Sequence, residues 1–287
     1  MARRVLVVAN ETHGGHSLVE AIRARHARGD AEFVVIAPQN RPRNGYVIYD
    51  DAVRDAALMR INETLDAIGE HGIRATGDVM DPDPYTATLD AVREYRIDEI
   101  IVSTHPETRS GWLRHDLLER IQLATGLPVE HVVVDLESER ERDPETHTLI
   151  VANKTARAEA LFEELRRRAT DSPHRFLVVV PQEGGHGHHI EQAKGRLQTL
   201  LDRLSSAGIP AMGGIGDPDP YDAVANALQF HRVDEIVIAT LPKMRSRWLR
   251  SDLVDRVQKI TVAPVTHVEI DVAEEAPAAA ESGVKAA

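Results

Sequence analysis

A chain of 287 residues is about twice the ~100–150 residues of a typical domain, which predicts two domains. Its formal charge of −12 excludes a general binder of nucleic acids or anionic membranes, since neutralising many phosphates needs a basic face, although a small anion could bind locally. The absence of cysteine excludes disulfides, thiolate nucleophiles and cysteine-ligated metals.

Short β-branched runs alternate with amphipathic stretches along the first half of the chain, as expected of a parallel sheet with helices on both faces. Strands are predicted at 4–9, 32–37, 73–78, 98–103 and 130–134. Helices are predicted at 15–28, 50–71, 84–95 and 111–124. The strand runs are continuously apolar, which indicates a sheet covered on both sides.

The N-terminus, Met1-Ala2-Arg3-Arg4, leads into a short apolar stretch that is not a signal-peptide core. No stretch reaches the ~18 consecutive apolar residues that span a bilayer. We therefore expect a soluble, cytoplasmic protein.

The pattern of the first half returns in the second half. Asp-Pro-Asp-Pro-Tyr at 81–85 recurs at 217–221, and the same separation relates 109–114 to 245–250. Three later residues also recur, Pro128, His131 and Asp135 as Pro264, His267 and Asp271. The sequence therefore predicts an α/β protein of two tandem Rossmann-like domains, each a five-stranded parallel sheet with helices on both faces.

Composition sets the domain boundaries. We place the first domain at 1–138 and the second at 146–272. Residues 139–145 are highly charged without an apolar face, so they are predicted to be a linker. Residues 273–287 contain almost nothing to bury and are predicted to be a disordered tail.

The loops after strands one and four of each repeat are the expected ligand crevice, because parallel sheets bind ligands where strand order reverses. An Arg-Ser pair at a helix entrance suits an anion, since guanidinium and free N–H groups both donate. The candidate residues for binding a nucleotide or small anion are Asn10, Thr104, Arg109, Ser110, Arg114, Asn153, Lys154, Thr240, Arg245, Ser246 and Arg250. Alternatively, the serines are ordinary N-caps, the arginines are solvated, and Trp112 and Trp248 pack into the domain or an interface.

The two crevices differ in charge. The first repeat places Glu11, His105 and Glu107 near its arginines. The second repeat places cations at the equivalent region, namely Lys154, Arg157, Lys243, Arg245, Arg247 and Arg250. The second crevice is therefore predicted to be the better anion site.

The Asp-Pro-Asp-Pro-Tyr segments could supply paired carboxylates for catalysis or metal binding. Capping explains them more simply, with Asp83 and Asp219 as N-caps followed by proline at the first helical position. Asp81 and Asp217 have no capping duty in this interpretation and are expected to face the crevice rim. The histidine-rich stretches 13–16 and 184–189 could bind Zn²⁺ or Ni²⁺, but they do not match between repeats, so no metal site is predicted.

On these segments the chain resembles the universal stress protein superfamily in its tandem, two-domain form. More narrowly it resembles an actinobacterial branch with Asp-Pro-Asp-Pro, Ser-Thr and Arg-Trp-Leu-Arg segments, over about residues 3–136 and 146–272. The resemblance implies that the two domains of one chain pair through their last strands. Two such chains could also form a homodimer. It also implies ATP or another adenine nucleotide as ligand, with no metal required.

Two features depart from the ATP-binding members of that superfamily. Asn10 and Asn153 occupy the position of an aspartate after strand one, and residues 109–111 match only part of the glycine-rich phosphate loop. The leading hypothesis is therefore a non-catalytic stress-response or regulatory protein with a modified nucleotide- or anion-binding crevice in each repeat. The alternatives are an interaction module that has lost ligand binding, or a nucleotide-acting hydrolase that uses Asp81 and Asp217.

Overall fold

A computed structural model describes residues 2–9, 12, 15–38, 50–106, 116–182, 187–242 and 246–270. The first repeat contains β1 (Arg3–Val8), α1 (His16–Ala27), β2 (Ala31–Pro38), α2 (Asp50–Gly69), β3 (Ala75–Met80), α3 (Pro84–Tyr95), β4 (Glu99–Thr104), α4 (Leu117–Thr125) and β5 (Val129–Val133). Helix α5 (Leu136–Arg142) follows. The second repeat contains β6 (Thr146–Val151), a 3-10 turn (Lys154–Arg157), α6 (Glu159–Asp171), β7 (His174–Pro181), α7 (Gly187–Ser206), β8 (Ala211–Gly216), α8 (Pro220–Phe230), β9 (Glu235–Thr240), α9 (Arg247–Arg250), α10 (Leu253–Gln258) and β10 (Val265–Glu269).

The strands form two separate parallel sheets with the same topology. The order is β3-β2-β1-β4-β5 in the first and β8-β7-β6-β9-β10 in the second, five strands each. Every pairing within them is parallel. The predicted fold class is therefore confirmed. None of the described helices combines the length and the apolar character needed to cross a membrane.

Both faces of each sheet are buried, which explains the continuously apolar strand runs. In β1, Val5 and Val7 pack with α1 and α2, whereas Leu6 and Val8 pack with α3 and α4. In β6, Ile150 faces α6 and α7, while Leu149 and Val151 face α8 and α10.

Helix α2 joins the two repeats, because it is buried on two sides. One side packs into the core of its own sheet, and the other lies against β8 and α8 of the second repeat. Met59 packs on the apolar cluster there, and the guanidinium carbon of the buried Arg60 lies 4.6 Å from the ring centre of Phe230. Glu63 lies 3.6 Å from the ring nitrogen of His231. The last strands β5 and β10 are edges of separate sheets and are not paired with each other.

The charged interval at 139–145, predicted as a linker, is mostly helical. Its first part lies in α5, and Glu139 is buried against the start of α1. Side-chain contacts with distant residues thus give structure to a segment without an apolar face. The predicted tail 273–287 lies outside the described residues.

An ion-pair network joins α5 to the amino-terminal edge of the second sheet. His147 and Arg232 each place a nitrogen close to Asp143, at 2.9 Å and 3.0 Å. Arg140 and Arg232 both pair with Asp234, each at 2.9 Å. Burial alone would raise the pKa of Asp143, but the hydrogen bond from His147 and the charge of Arg232 lower it to about 2.

Replacing Asp143 with asparagine should lower the free energy of unfolding by about 1–2 kcal/mol near neutral pH, because its carboxylate is stabilised only in the folded chain. The folded pKa of about 2 lies below the ordinary value of 3.8. The stabilisation is therefore complete above about pH 4 and is lost as the pH falls through about 2. Urea denaturation should show a difference between wild type and D143N that narrows as the pH falls from 7 to 3.

Asp171 provides the matched control for this experiment. It pairs with Arg167 at 2.8 Å, but both side chains are well exposed. D171N should change the unfolding free energy much less, since water screens exposed ion pairs. Equal losses in the two variants would contradict the role assigned to the Asp143 network.

Candidate ligand crevice

The strand order of each sheet reverses at its first strand, so the expected crevice lies beyond the carboxyl ends of β1 and β4, and of β6 and β9. In the second repeat a cavity of about 100 Å³ lies at this place. It is lined by Asn153, Lys154 and Thr155 after β6, by Ala239, Thr240 and Leu241 at the end of β9, and by Ser246, Arg247 and Trp248 at the start of α9.

The structure brings four of the candidate residues together around this cavity, namely Asn153, Lys154, Thr240 and Ser246. Thr104 ends β4 at the equivalent place in the first repeat. Arg250 is the last residue of α9. Asn10, Arg109, Ser110, Arg114 and Arg245 lie outside the described residues.

Thr240 makes two hydrogen bonds within the protein. Its hydroxyl donates to the carbonyl oxygen of Leu241 at 2.9 Å, and the oxygen lies 2.8 Å from Nε2 of His267. A hydroxyl has one proton, so the histidine must donate from Nε2. The hydroxyl therefore ties the end of β9 to β10.

The same arrangement occurs in the first repeat. The Thr104 hydroxyl donates to the carbonyl oxygen of His105 at 2.9 Å and lies 2.8 Å from Nε2 of His131. Burial lowers the pKa of His131, which favours the neutral ring. Sequence reasoning missed this threonine–histidine pair, although both of its members recur between the repeats.

Other polar groups of the second crevice also hold backbone in place. The Asn153 amide donates to the carbonyl oxygen of Pro181 at 3.0 Å, and its oxygen accepts from Arg196 at 2.5 Å. The Thr155 hydroxyl donates to the carbonyl oxygen of Ala239 at 2.9 Å. These bonds fasten the loop after β6 to both neighbouring strands.

Ser246 is the N-cap of α9, where its hydroxyl accepts from the backbone N–H of Leu249 at 3.3 Å. Trp248 is half-buried and packs against the apolar cluster beneath α8 and α10. The capping and packing alternatives are thus what the structure shows for these two residues. Lys154 and Arg247 are the exposed cations among the residues that line the cavity.

Replacing Thr240 with valine should lower the free energy of unfolding by about 0.5–1.5 kcal/mol, because the carbonyl oxygen of Leu241 and the ring N–H of His267 lose their partner. T104V should have a similar effect in the first repeat. Urea denaturation measures both, and Thr266→Val on β10, which alters a half-buried threonine, is the control. If T240V is as stable as T266V, the hydroxyl does not fasten these strands.

The Asp-Pro-Asp-Pro-Tyr segments serve helix capping in both repeats. Asp83 accepts from the backbone N–H of Thr86 at 3.0 Å, and Asp219 accepts from that of Tyr221 at 2.8 Å, with proline following in each case. Burial raises the pKa of Asp83, but the hydrogen bonds from Thr86 outweigh it and lower the pKa. Capping, preferred from the sequence, is confirmed.

Asp81 and Asp217 are not the N-caps of these helices, but each is hydrogen-bonded to the residue that is. Each carboxylate accepts a backbone N–H two residues further on, from Asp83 at 2.8 Å and from Asp219 at 2.9 Å. Burial raises the pKa of Asp217. These aspartates thus shape the turn before the helix.

A possible metal-binding group is formed by Asp143, Glu145 and His147. Arg232 lies 3.0 Å from the first carboxylate, and Arg175 lies 3.0 Å from the second. The guanidinium groups neutralise the charge that would attract a cation, so we interpret this group as an ion-pair network. Of the histidine-rich stretches, residues 13–14 and 184–186 lie outside the described residues.

Several solved structures are similar to this chain. A universal stress protein from Archaeoglobus fulgidus matches at 15% identity and a TM-score of 0.35, over 93% of this chain and 96% of its own. Another from the same organism matches at 14% identity and a TM-score of 0.33, over 46% of this chain and 99% of its own. A hexameric APS kinase from Thiobacillus denitrificans matches at 10% identity and a TM-score of 0.32, over 95% of this chain and 60% of its own.

No family model and no curated protein sequence matches the chain. Similarities with TM-scores this low carry no argument about ligand or activity.

Proposed function

We propose that the chain is a non-catalytic regulatory protein of the stress-response type that binds a phosphate-bearing ligand or small anion, with the stronger site in the second repeat. The observation that carries the proposal is the cavity at the β6/β9 reversal, lined by the exposed cations Lys154 and Arg247. Cations at the carboxyl edge of a parallel sheet attract anions even when the net charge is negative.

The size of the cavity favours a small group over a whole nucleotide. Sites for drug-sized ligands measure roughly 300–1,000 Å³. The cavity measures about 100 Å³. A phosphate group, alone or on a nucleotide such as ATP, is therefore the part of the ligand that we expect the second crevice to hold.

Binding, and not turnover, is proposed because the polar groups around the cavity are used to hold the backbone. The side chains of Asn153, Thr155 and Thr240 are hydrogen-bonded to carbonyl oxygens of neighbouring strands or loops. The same observation favours the second candidate function, an interaction module without a ligand. Charge then decides between the two, since only an anion site depends on Lys154 and Arg247.

Calorimetry of the full chain with ATP, ADP, AMP and inorganic phosphate tests the proposal. We expect all four to bind with similar affinity, because the phosphate group makes the main contact. Lys154→Glu and Arg247→Glu should each weaken binding about tenfold, since each reverses a charge beside the ligand. Incubation with ATP and Mg²⁺ should leave the nucleotide intact.

Arg166→Glu on the exposed surface of α6 changes the net charge equally and is the matched control. It should change affinity by less than about twofold. Charge reversals at Glu11 and Arg109 in the first repeat should weaken binding less than the reversals at Lys154 and Arg245. If none of the four compounds gives heat at high micromolar concentration, the interaction module is the better description.

A further inference from the structure

Glu139 is buried at the amino terminus of α1, although the two are more than a hundred residues apart in the sequence. Only 4% of this residue is exposed, although the residues that follow it in α5 are exposed. One carboxylate oxygen accepts from the backbone N–H of His16. The other accepts from the backbone N–H of Ser17 at 3.1 Å and from its hydroxyl at 2.6 Å.

These contacts replace a cap that the local sequence lacks. The N-cap residue of α1 is Gly15, which has no side chain to accept a hydrogen bond. The first N–H groups of a helix carry a partial positive charge and bind anions readily. Glu139 therefore occupies, with its own negative charge, a place that suits a phosphate or carboxylate.

A second observation concerns the loop that enters α1. The Thr12 hydroxyl is buried, with 2% of the residue exposed, and has no hydrogen-bond partner in the described part of the chain. Its counterpart Thr155 donates to the carbonyl oxygen of Ala239 at 2.9 Å. A buried hydroxyl without a partner costs free energy, so a polar ligand that hydrogen-bonds to it would stabilise this loop.

The buried Ser103 hydroxyl at the end of β4 also lacks a partner among the described residues, where the second repeat has alanine. The same edge of the first sheet thus contains a helix terminus with an internal carboxylate and two buried hydroxyl groups that have no partner in the described ranges. The second crevice has cations on its rim instead.

Helix α5 connects this contact to the second repeat. Arg140, the next residue after Glu139, donates to Asp234 at 2.9 Å, and Arg142 donates to the Ser17 hydroxyl at 3.2 Å. Glu139 thus lies on a helix that is also anchored on the second domain.

We propose that the amino terminus of α1 is a latent anion site, and that Glu139 closes it as an internal occupant. A phosphate-bearing ligand enters the first crevice only when this carboxylate leaves, which couples occupancy of the first repeat to the junction between the repeats. The inference goes beyond the proposed function and does not depend on ligand binding in the second crevice.

The test measures binding of inorganic phosphate by calorimetry in the full-length K154E/R247E chain, so that the second crevice does not contribute. Adding Glu139→Ala should tighten phosphate binding by about tenfold or more, because the N–H groups of His16 and Ser17 then face the ion. Glu141→Ala, which removes an exposed glutamate from the same helix, is the matched control and should leave phosphate binding unchanged.

Glu139→Gln keeps the size of the side chain and removes its charge, so it should give a smaller gain than E139A. It decides the matter if E139A does not fold, as judged by circular dichroism and a cooperative thermal transition. The proposal is overturned if the folded E139 variant binds phosphate no more tightly than E141A, or if both variants gain equally. The effect of K154E alone tests the second crevice. It can therefore be distinguished from the effect of the Glu139 variants, which tests the first.

Discussion

The reversal of strand order at the first strand of each sheet is the constraint on which the rest of the structure depends. β1 pairs with β2 on one side and β4 on the other, and β6 pairs with β7 and β9 in the same way. Because all strands are parallel, the loops that follow them open at one edge and leave a gap at the reversal. Because the fold is duplicated, each repeat has a crevice at the same place in its sheet.

Inside each crevice, the shared residues hold the framework and do not provide the chemistry. The threonine–histidine pairs, Thr104 with His131 and Thr240 with His267, fasten the fourth strand of each sheet to the fifth with the same geometry. The aspartates of the Asp-Pro-Asp-Pro-Tyr segments shape turns and cap helices. Recurrence between repeats thus marks what the fold needs.

The strands, the four helices expected in the first repeat and the duplication could be predicted because apolar periodicity and turn residues are local signals. The location of the crevice could also be predicted, since it follows from topology. The partners of polar atoms could not. Nothing in the residues around Glu139 indicates that it caps a helix more than a hundred positions earlier, and a charged segment without an apolar face is typical of a linker.

The domain junction shows the same limit. A helix with one apolar stripe is expected to cover one sheet, but α2 is buried on two sides and places Arg60 over Phe230 of the other repeat. From the local sequence, an arginine in a helix is expected to be solvated. Arg60 is buried because the second repeat packs against α2.

Electrostatics gives the clearest difference between the two crevices. The amino terminus of a helix attracts negative charge, and that attraction must be met by a ligand, by water or by the chain itself. The first repeat meets it with Glu139, whereas the second presents Lys154 and Arg247 at its cavity. The carboxyl edge of the first sheet thus holds an internal anion, and that of the second carries exposed cations. Two crevices with the same strand order can therefore differ in their charge.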